Sequence, residues 1–96
     1  MAEPYDFDPS KDFANRRKHG VPLSFGMRVF EDSNAAVIPT VRIGDEEERQ
    51  KAIGMVDGQL WIAVFVWRDD KVRLISVRRS NGSEQRIYYR DSGGPE

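Results

Sequence analysis

The chain of 96 residues contains no cysteine and one histidine, His19. Absent cysteine removes disulfides, thiolate metal sites and thiol nucleophiles together. A single histidine removes any mechanism that needs two imidazoles. Long apolar stretches are missing as well: the longest, Leu60 to Trp67, has eight residues, against the roughly twenty that cross a bilayer. Met1 to Asp8 carries acids and no base, unlike the start of a secretory signal, so a cytoplasmic location is expected. There is no internal repeat, no glycine-rich phosphate loop, no metal-ligand spacing and no Ser/His/Asp set that the pattern selects. A chain this short buries roughly two-thirds of its unfolded surface, enough for one core. One domain over residues 1–91 is expected, with a disordered tail at 92–96.

Net charge is also small, −1 from 15 basic and 16 acidic residues, which at first disfavours a polyanionic partner. Its distribution changes that reading. Residues 21–60 hold four bases against seven acids, whereas 73–90 hold Arg73, Arg78, Arg79, Arg86 and Arg90 against Glu84 alone. Guanidinium groups grip phosphate bidentately and keep their charge when desolvated. A solvated helix and strand edge is the plainer account of the same arginines.

Local signals predict an α+β fold with two N-terminal helices, an antiparallel meander of three to four strands and a short C-terminal helix. Asp8-Pro9 opens a helix, the carboxylate capping free amides and proline suiting the first turn, and Gly20 closes it after His19. Tyr5 and Phe7, alternating with acids, suit a short strand. Pro22 to Phe30 reads as a second helix, which Gly26 weakens by about 1 kcal/mol relative to alanine. Ala35 to Val41 is an edge strand because of Pro39. Arg49 to Val56 and Leu60 to Trp67 flank Asp57-Gly58, a tight-hairpin signal, and the second of these is a central strand covered on both faces. After a turn at Arg68-Asp69-Asp70-Lys71, Val72 to Arg79 alternates as a further strand. Asn81 and Glu84 form a capping pair for a helix reaching about Arg90.

Several groups of residues suit chemistry. Lys11, Asn15, Lys18 and His19 share one helical stripe that fits a phosphate, or else forms the wet side of a helix whose dry side holds Phe13 and Ala14. His19 meets the negative end of the helix dipole, which favours imidazolium and suits either a general acid or a simple cap. Strict alternation places Val72, Leu74, Ser76 and Arg78 on one sheet face and Arg73, Ile75, Val77 and Arg79 on the other. One of Arg78 and Arg79 therefore meets a helix-covered face and needs a partner or ligand there. Arg49 opens its strand after the acidic run Asp45 to Glu48, which has no fixed metal geometry. Tyr88 and Tyr89 suit base stacking, proton donation or plain packing. Trp61 and Trp67 share a face with Ala63 and Phe65 and are expected in the core.

The order of these residues is more specific than any one of them. Phe7-Asp8-Pro9, Lys11, Asn15, Lys18-His19-Gly20-Val21, Val29-Phe30-Glu31-Asp32, Glu47-Glu48-Arg49, Ala52-Ile53-Gly54 and Gly58-Gln59-Leu60 are followed by Arg68, Arg73 to Arg79, Glu84 and Tyr88. Over about residues 5–89 the chain resembles the BrnT family, the toxins of BrnT/BrnA bacterial type II toxin–antitoxin systems. The resemblance implies a RelE-like fold, metal-independent cleavage of RNA that inhibits translation and growth, and no cofactor. It also implies neutralisation by a BrnA-like ribbon-helix-helix antitoxin in a 2:2 complex. RNA is the implied substrate, operator DNA is met only through the antitoxin complex, and no membrane is involved.

The resemblance carries over Lys18, His19, Glu48, Arg49, Arg78, Arg79 and Tyr88. Of these, His19, Glu48, Arg49, Arg78 and Tyr88 are the catalytic candidates. Lys18 and Arg79, joined by Lys11 and Asn15 of the helical stripe and by Arg68, are the RNA-binding candidates, and no residue is expected to bind metal. Arg49 and Arg78 would offset phosphate charge. His19 would act as acid or base, complemented by Glu48 or Tyr88. The family has tryptophan where Phe7 stands, a Phe-Glu-Glu-Ala pattern in place of Leu23-Ser24-Phe25-Gly26, and a more helix-friendly stretch at Asn81-Gly82. Two other readings follow: a catalytically degenerate antitoxin-binding and regulatory protein of the same fold, and a general RNA-binding domain.

Overall fold

A computed structural model describes residues 5–40 and 49–92. The order is β1 (Tyr5–Phe7), α1 (Pro9–His19), a 3-10 turn (Leu23–Phe25), α2 (Gly26–Phe30), β2 (Ala36–Thr40), β3 (Arg49–Val56), β4 (Gln59–Arg68), β5 (Lys71–Arg79) and α3 (Gly82–Ser92). The strands form one sheet in the order β1-β5-β4-β3-β2. From β2 to β5 it is the antiparallel meander expected, with β4 at its centre. Tyr5–Phe7 adds a fifth strand, parallel to β5, which makes the sheet mixed.

The local signals act as their chemistry dictates. The Asp8 carboxylate accepts from the Ser10 amide at 2.9 Å, and Gly20 ends α1 with φ 81°. Asp57 and Gly58, both at positive φ, make the β3–β4 turn; Asp69 and Asp70, also at positive φ, make the β4–β5 turn. The Asn81 side chain caps the Glu84 amide while the Glu84 carboxylate caps the Asn81 amide, each at 2.9 Å. Ser92, expected in the tail, is the last residue of α3; the rest of that tail lies outside the described residues.

Four expectations are corrected. The single helix from Pro22 to Phe30 is divided into the 3-10 turn and α2, and Gly26 is needed there for closeness. A Cβ on Gly26 would stand 3.0 Å from side-chain atoms of both Leu74 and Val77, so glycine lets α2 sit on the sheet. Phe13, expected on the dry side of α1, is 62% exposed. The buried residue of α1 is Asn15, whose amide donates to the Val77 and Val21 carbonyls at 2.9 Å and whose oxygen accepts from the Val77 amide at 2.9 Å. β1 reaches only Leu74 along β5; beyond it, Asn15 supplies the backbone partner that a longer strand would have given. Trp67 is 58% exposed, its ring edge-on to Phe65 of the core.

The fourth correction concerns β5. Val64 pairs with Ser76 and Phe65 with Leu74, leaving Ile75 as a bulge without a partner. Strict alternation therefore fails. Val72, Leu74 and Val77 all enter the core beneath α2 and the 3-10 turn, with Leu23, Val29, Ala52, Trp61, Ala63 and Phe65. Arg78 is turned to the opposite face, where α3 packs through Tyr88 on Ile53, Leu60 and Ile62. Re-aiming a side chain is a recognised effect of such bulges.

Candidate functional site

The site is built around Arg78. Its guanidinium makes a two-point contact with Glu84 of α3, Nη1 to Oε1 at 2.9 Å and Nη2 to Oε2 at 2.7 Å. Lys51 of β3 reaches the same carboxylate, Nζ to Oε2 at 2.8 Å. Glu84 is 1% exposed. Burial raises its pKa, but bonds from Arg78, Lys51 and the Asn81 amide outweigh that and hold it down at about 2. The Glu84 bond in turn raises the pKa of Arg78. Sequence reasoning saw Glu84 only as a cap and did not select Lys51. The signal was present in the lone acid among five arginines.

The α1 stripe meets the β5 edge. Lys11, Asn15, Lys18 and His19 line one cavity of about 150 Å³ with Ile75 and Ser76. Asn15 is buried there with its amide and oxygen committed to backbone, so it builds the wall. Lys11 and Lys18 are exposed. The His19 pKa is lowered, first by burial and then by the positive charges of Lys18 and Arg78. These influences oppose the effect expected from the helix dipole and favour the neutral ring.

The remaining candidates are spread out. Arg49 lies two residues before Lys51 on the same strand face, about 7 Å away along the strand. Arg79 points away from Arg78, its guanidinium carbon 5.3 Å from the Trp61 ring centroid. It borders a second cavity, of about 280 Å³, with Ser80, Gln85 and Tyr89. Arg68 pairs with Lys71 at the far end of β5, roughly 20 Å of strand from Arg78. Glu48, like the acidic run it ends, lies outside the described residues.

Tyr88 serves a different centre. It is buried, and its hydroxyl donates to Asp32 Oδ2 at 2.6 Å; the same oxygen accepts from the Met55 amide at 2.8 Å. Burial, then Asp32, raise the Tyr88 pKa to about 12. Burial opposes ionisation of Asp32, yet its bonds from Tyr88, Met55 and Asn34 lower its pKa overall. This pair ties α3 to the segment before β2 and to β3. It presents no proton to the Arg78 surface.

The geometry is thus a fixed arginine and lysine on one sheet face, with a neutral imidazole and two lysines beside the strand edge. Such a set suits a phosphodiester: cations offset charge on its oxygens, and imidazole exchanges a proton with a hydroxyl. Among the described residues no helix is long and apolar enough to cross a membrane. No curated protein matches the chain. The family model described as ribonuclease toxin, BrnT, of type II toxin–antitoxin system matches residues 7–84. With most of the sheet, the Arg78–Glu84 pair and the α1 stripe inside that match, the chain belongs to the BrnT family of ribonuclease toxins.

Proposed function

We propose that this chain is a metal-independent endoribonuclease acting in the cytoplasm, in which Arg78 stabilises the reacting phosphate. The RNA 2′-oxygen attacks the adjacent phosphorus, the bond to the 5′-oxygen breaks, and a 2′,3′-cyclic phosphate and a 5′-hydroxyl form. Neutral His19 takes the 2′-hydroxyl proton, and Glu48 in its carboxylic-acid form, the complement in proton transfer, gives a proton to the departing 5′-oxygen. Tyr88 is not retained, because its hydroxyl is buried against Asp32. Arg49 adds positive charge on the α3 face. Lys11, Lys18 and Arg79 bind flanking phosphates, and Arg68 reaches only an extended strand. Asn15 shapes the cavity without touching RNA.

The observation that carries this reading is Arg78 itself: partly exposed, fixed at two points and turned by a bulge away from the apolar core beneath α2. Its test is the product end group. Cleavage in EDTA leaving 2′,3′-cyclic phosphate is expected; loss of cleavage in EDTA, or 3′-hydroxyl ends, would overturn it.

A BrnA-like ribbon-helix-helix antitoxin, in a 2:2 complex that alone meets operator DNA, would neutralise the toxin by covering these cations. Charge reversal at Lys18 and Arg79 should then weaken the complex; unchanged affinity would place the antitoxin elsewhere. One observation favours a second reading, a degenerate antitoxin-binding protein: Glu84 already occupies Arg78. Growth arrest on expression, relieved by the co-expressed antitoxin, supports the toxin. Harmless expression of folded protein supports the binder.

A further inference from the structure

Lys51 and Arg78 stand on β3 and β5 with β4 between them, so their backbones are about 10 Å apart across the sheet. Both side chains converge on one carboxylate. Each Glu84 oxygen accepts two bonds: Oε1 from Arg78 and the Asn81 amide, Oε2 from Arg78 and Lys51. Glu84 is therefore saturated and sealed, while the Arg78 and Lys51 side chains remain 31% and 21% exposed. Tying α3 to the sheet needs only one cation. A second cation leaves a local charge of +1 facing outward, matched to a phosphodiester monoanion.

The donor count agrees. A guanidinium has five N–H groups; among the described residues, Arg78 spends one on each Glu84 oxygen and one on the Arg79 carbonyl, at 3.1 Å. Two remain. Lys51 spends one of its three on Glu84. We infer that Glu84 is a positioning residue, its buried carboxylate holding Arg78 and Lys51 as a two-cation cradle for one phosphate of bound RNA. The inference rests on the RNA-cleaving reading and adds Lys51 as a phosphate contact. Glu84 touches no substrate. It fixes both heads before RNA arrives, so ordering them does not oppose binding, and it keeps two like charges close.

The experiment is a double-mutant cycle on the full chain, with Glu84→Gln, Arg78→Ala and the pair. Single-turnover RNA cleavage is read beside binding of a non-cleavable 2′-O-methyl oligonucleotide, with folding checked by circular dichroism. Glu84→Gln should lower the cleavage rate by up to about 10²-fold, the scale of a misplaced catalytic group. Once Arg78 is alanine, that effect should shrink to the part that passes through Lys51. A wild-type rate in folded Glu84→Gln, or an effect that adds fully to that of Arg78→Ala, would show a structural staple and overturn the inference.

Should Glu84→Gln not fold, Lys51→Met decides. One lost phosphate contact should reduce the salt slope of oligonucleotide binding by about 0.7, and an unchanged slope overturns the cradle. The parent reading fails differently. If Arg78→Ala cleaves as the wild type does, the role of Arg78 falls; if the wild type cleaves nothing, the nuclease assignment falls. The Lys51 slope still reports on the cradle.

Discussion

The two faces of the sheet solve different problems. Beneath α2 and the 3-10 turn, closure is apolar: Leu23 and Val29 from above meet Ala63, Phe65, Leu74 and Val77 from the strands, and glycines at 26 and 54 permit close approach. At Gly54 a Cβ would collide with the Val29 carbonyl oxygen. Beneath α3 the apolar patch is smaller, and two carboxylates organise the polar remainder. Glu84 gathers two cations and a backbone amide; Asp32 gathers a tyrosine hydroxyl and backbone amides. One carboxylate organises charge that a ligand can use, and the other organises structure. The first face fixes the fold, and the second uses that rigidity to hold cations that would otherwise swing freely.

The bulge at Ile75 sets Val77 on the apolar face and Arg78 on the α3 face, so the largest effect should come from exchanging these two residues. Val77→Arg combined with Arg78→Val would turn the guanidinium toward the apolar face, where an unpaired buried charge costs several kcal/mol. No cooperative unfolding transition is expected by circular dichroism; a native-like melt with wild-type cleavage would break the comparison. Phe65→Ala, on the apolar face, should destabilise by about 3–5 kcal/mol in urea titration. The folded fraction should cleave RNA at the wild-type rate.

Tyr88→Phe should cost about 1.5–3 kcal/mol, the scale of a hydrogen bond to a charged group. Cleavage per folded molecule should not change. A rate loss like that of Arg78→Ala would return Tyr88 to the chemistry.

Acid should separate the faces too. Glu84 has its pKa lowered from 4.5 to about 2. Its stabilisation is fully present above pH 4.5 and is lost as pH falls toward 2. Melting temperature should fall across that window, less steeply in Glu84→Gln; equal slopes would show that the carboxylate contributes nothing. Smallest is the His19 titration. Its pKa is lowered from 6.5, so its contribution to stability is present above 6.5 and is lost as pH falls through the folded value. An NMR midpoint above 6.5 would mean that the helix dipole dominates.

Much of the fold was legible because its signals are local. The Asp8-Pro9 start and Gly20 stop of α1, the Asp57-Gly58 turn and the Asn81–Glu84 cap each act within a few residues. The bulge was not legible, since Ile75 looks like any other member of an alternating strand. Its cause is the pairing of β5 with β4, which is tertiary. Missing it grouped Arg78 with Val72 and Leu74 and set Val77 on the other face from them, whereas Val77 shares their core. Asn15 misled for a related reason: a helical stripe shows which residues align, and not whether a strand edge beside them lacks backbone partners. In the site, the opposite travel of Arg78 and Arg79 was legible, and so was the need of one for a partner. Lys51 was not, because the register that brings it to Glu84 spans three strands.

The central claim is that Arg78, held by Glu84 on the α3 face, carries RNA cleavage without metal. Single-turnover cleavage in EDTA by the wild type and by Arg78→Ala tests it most directly. A fall of about 10²–10³-fold in the variant is predicted, the scale of losing one charge-stabilising donor, with the wild type undiminished by EDTA. A variant as fast as the wild type, or a wild type silenced by EDTA, would contradict it.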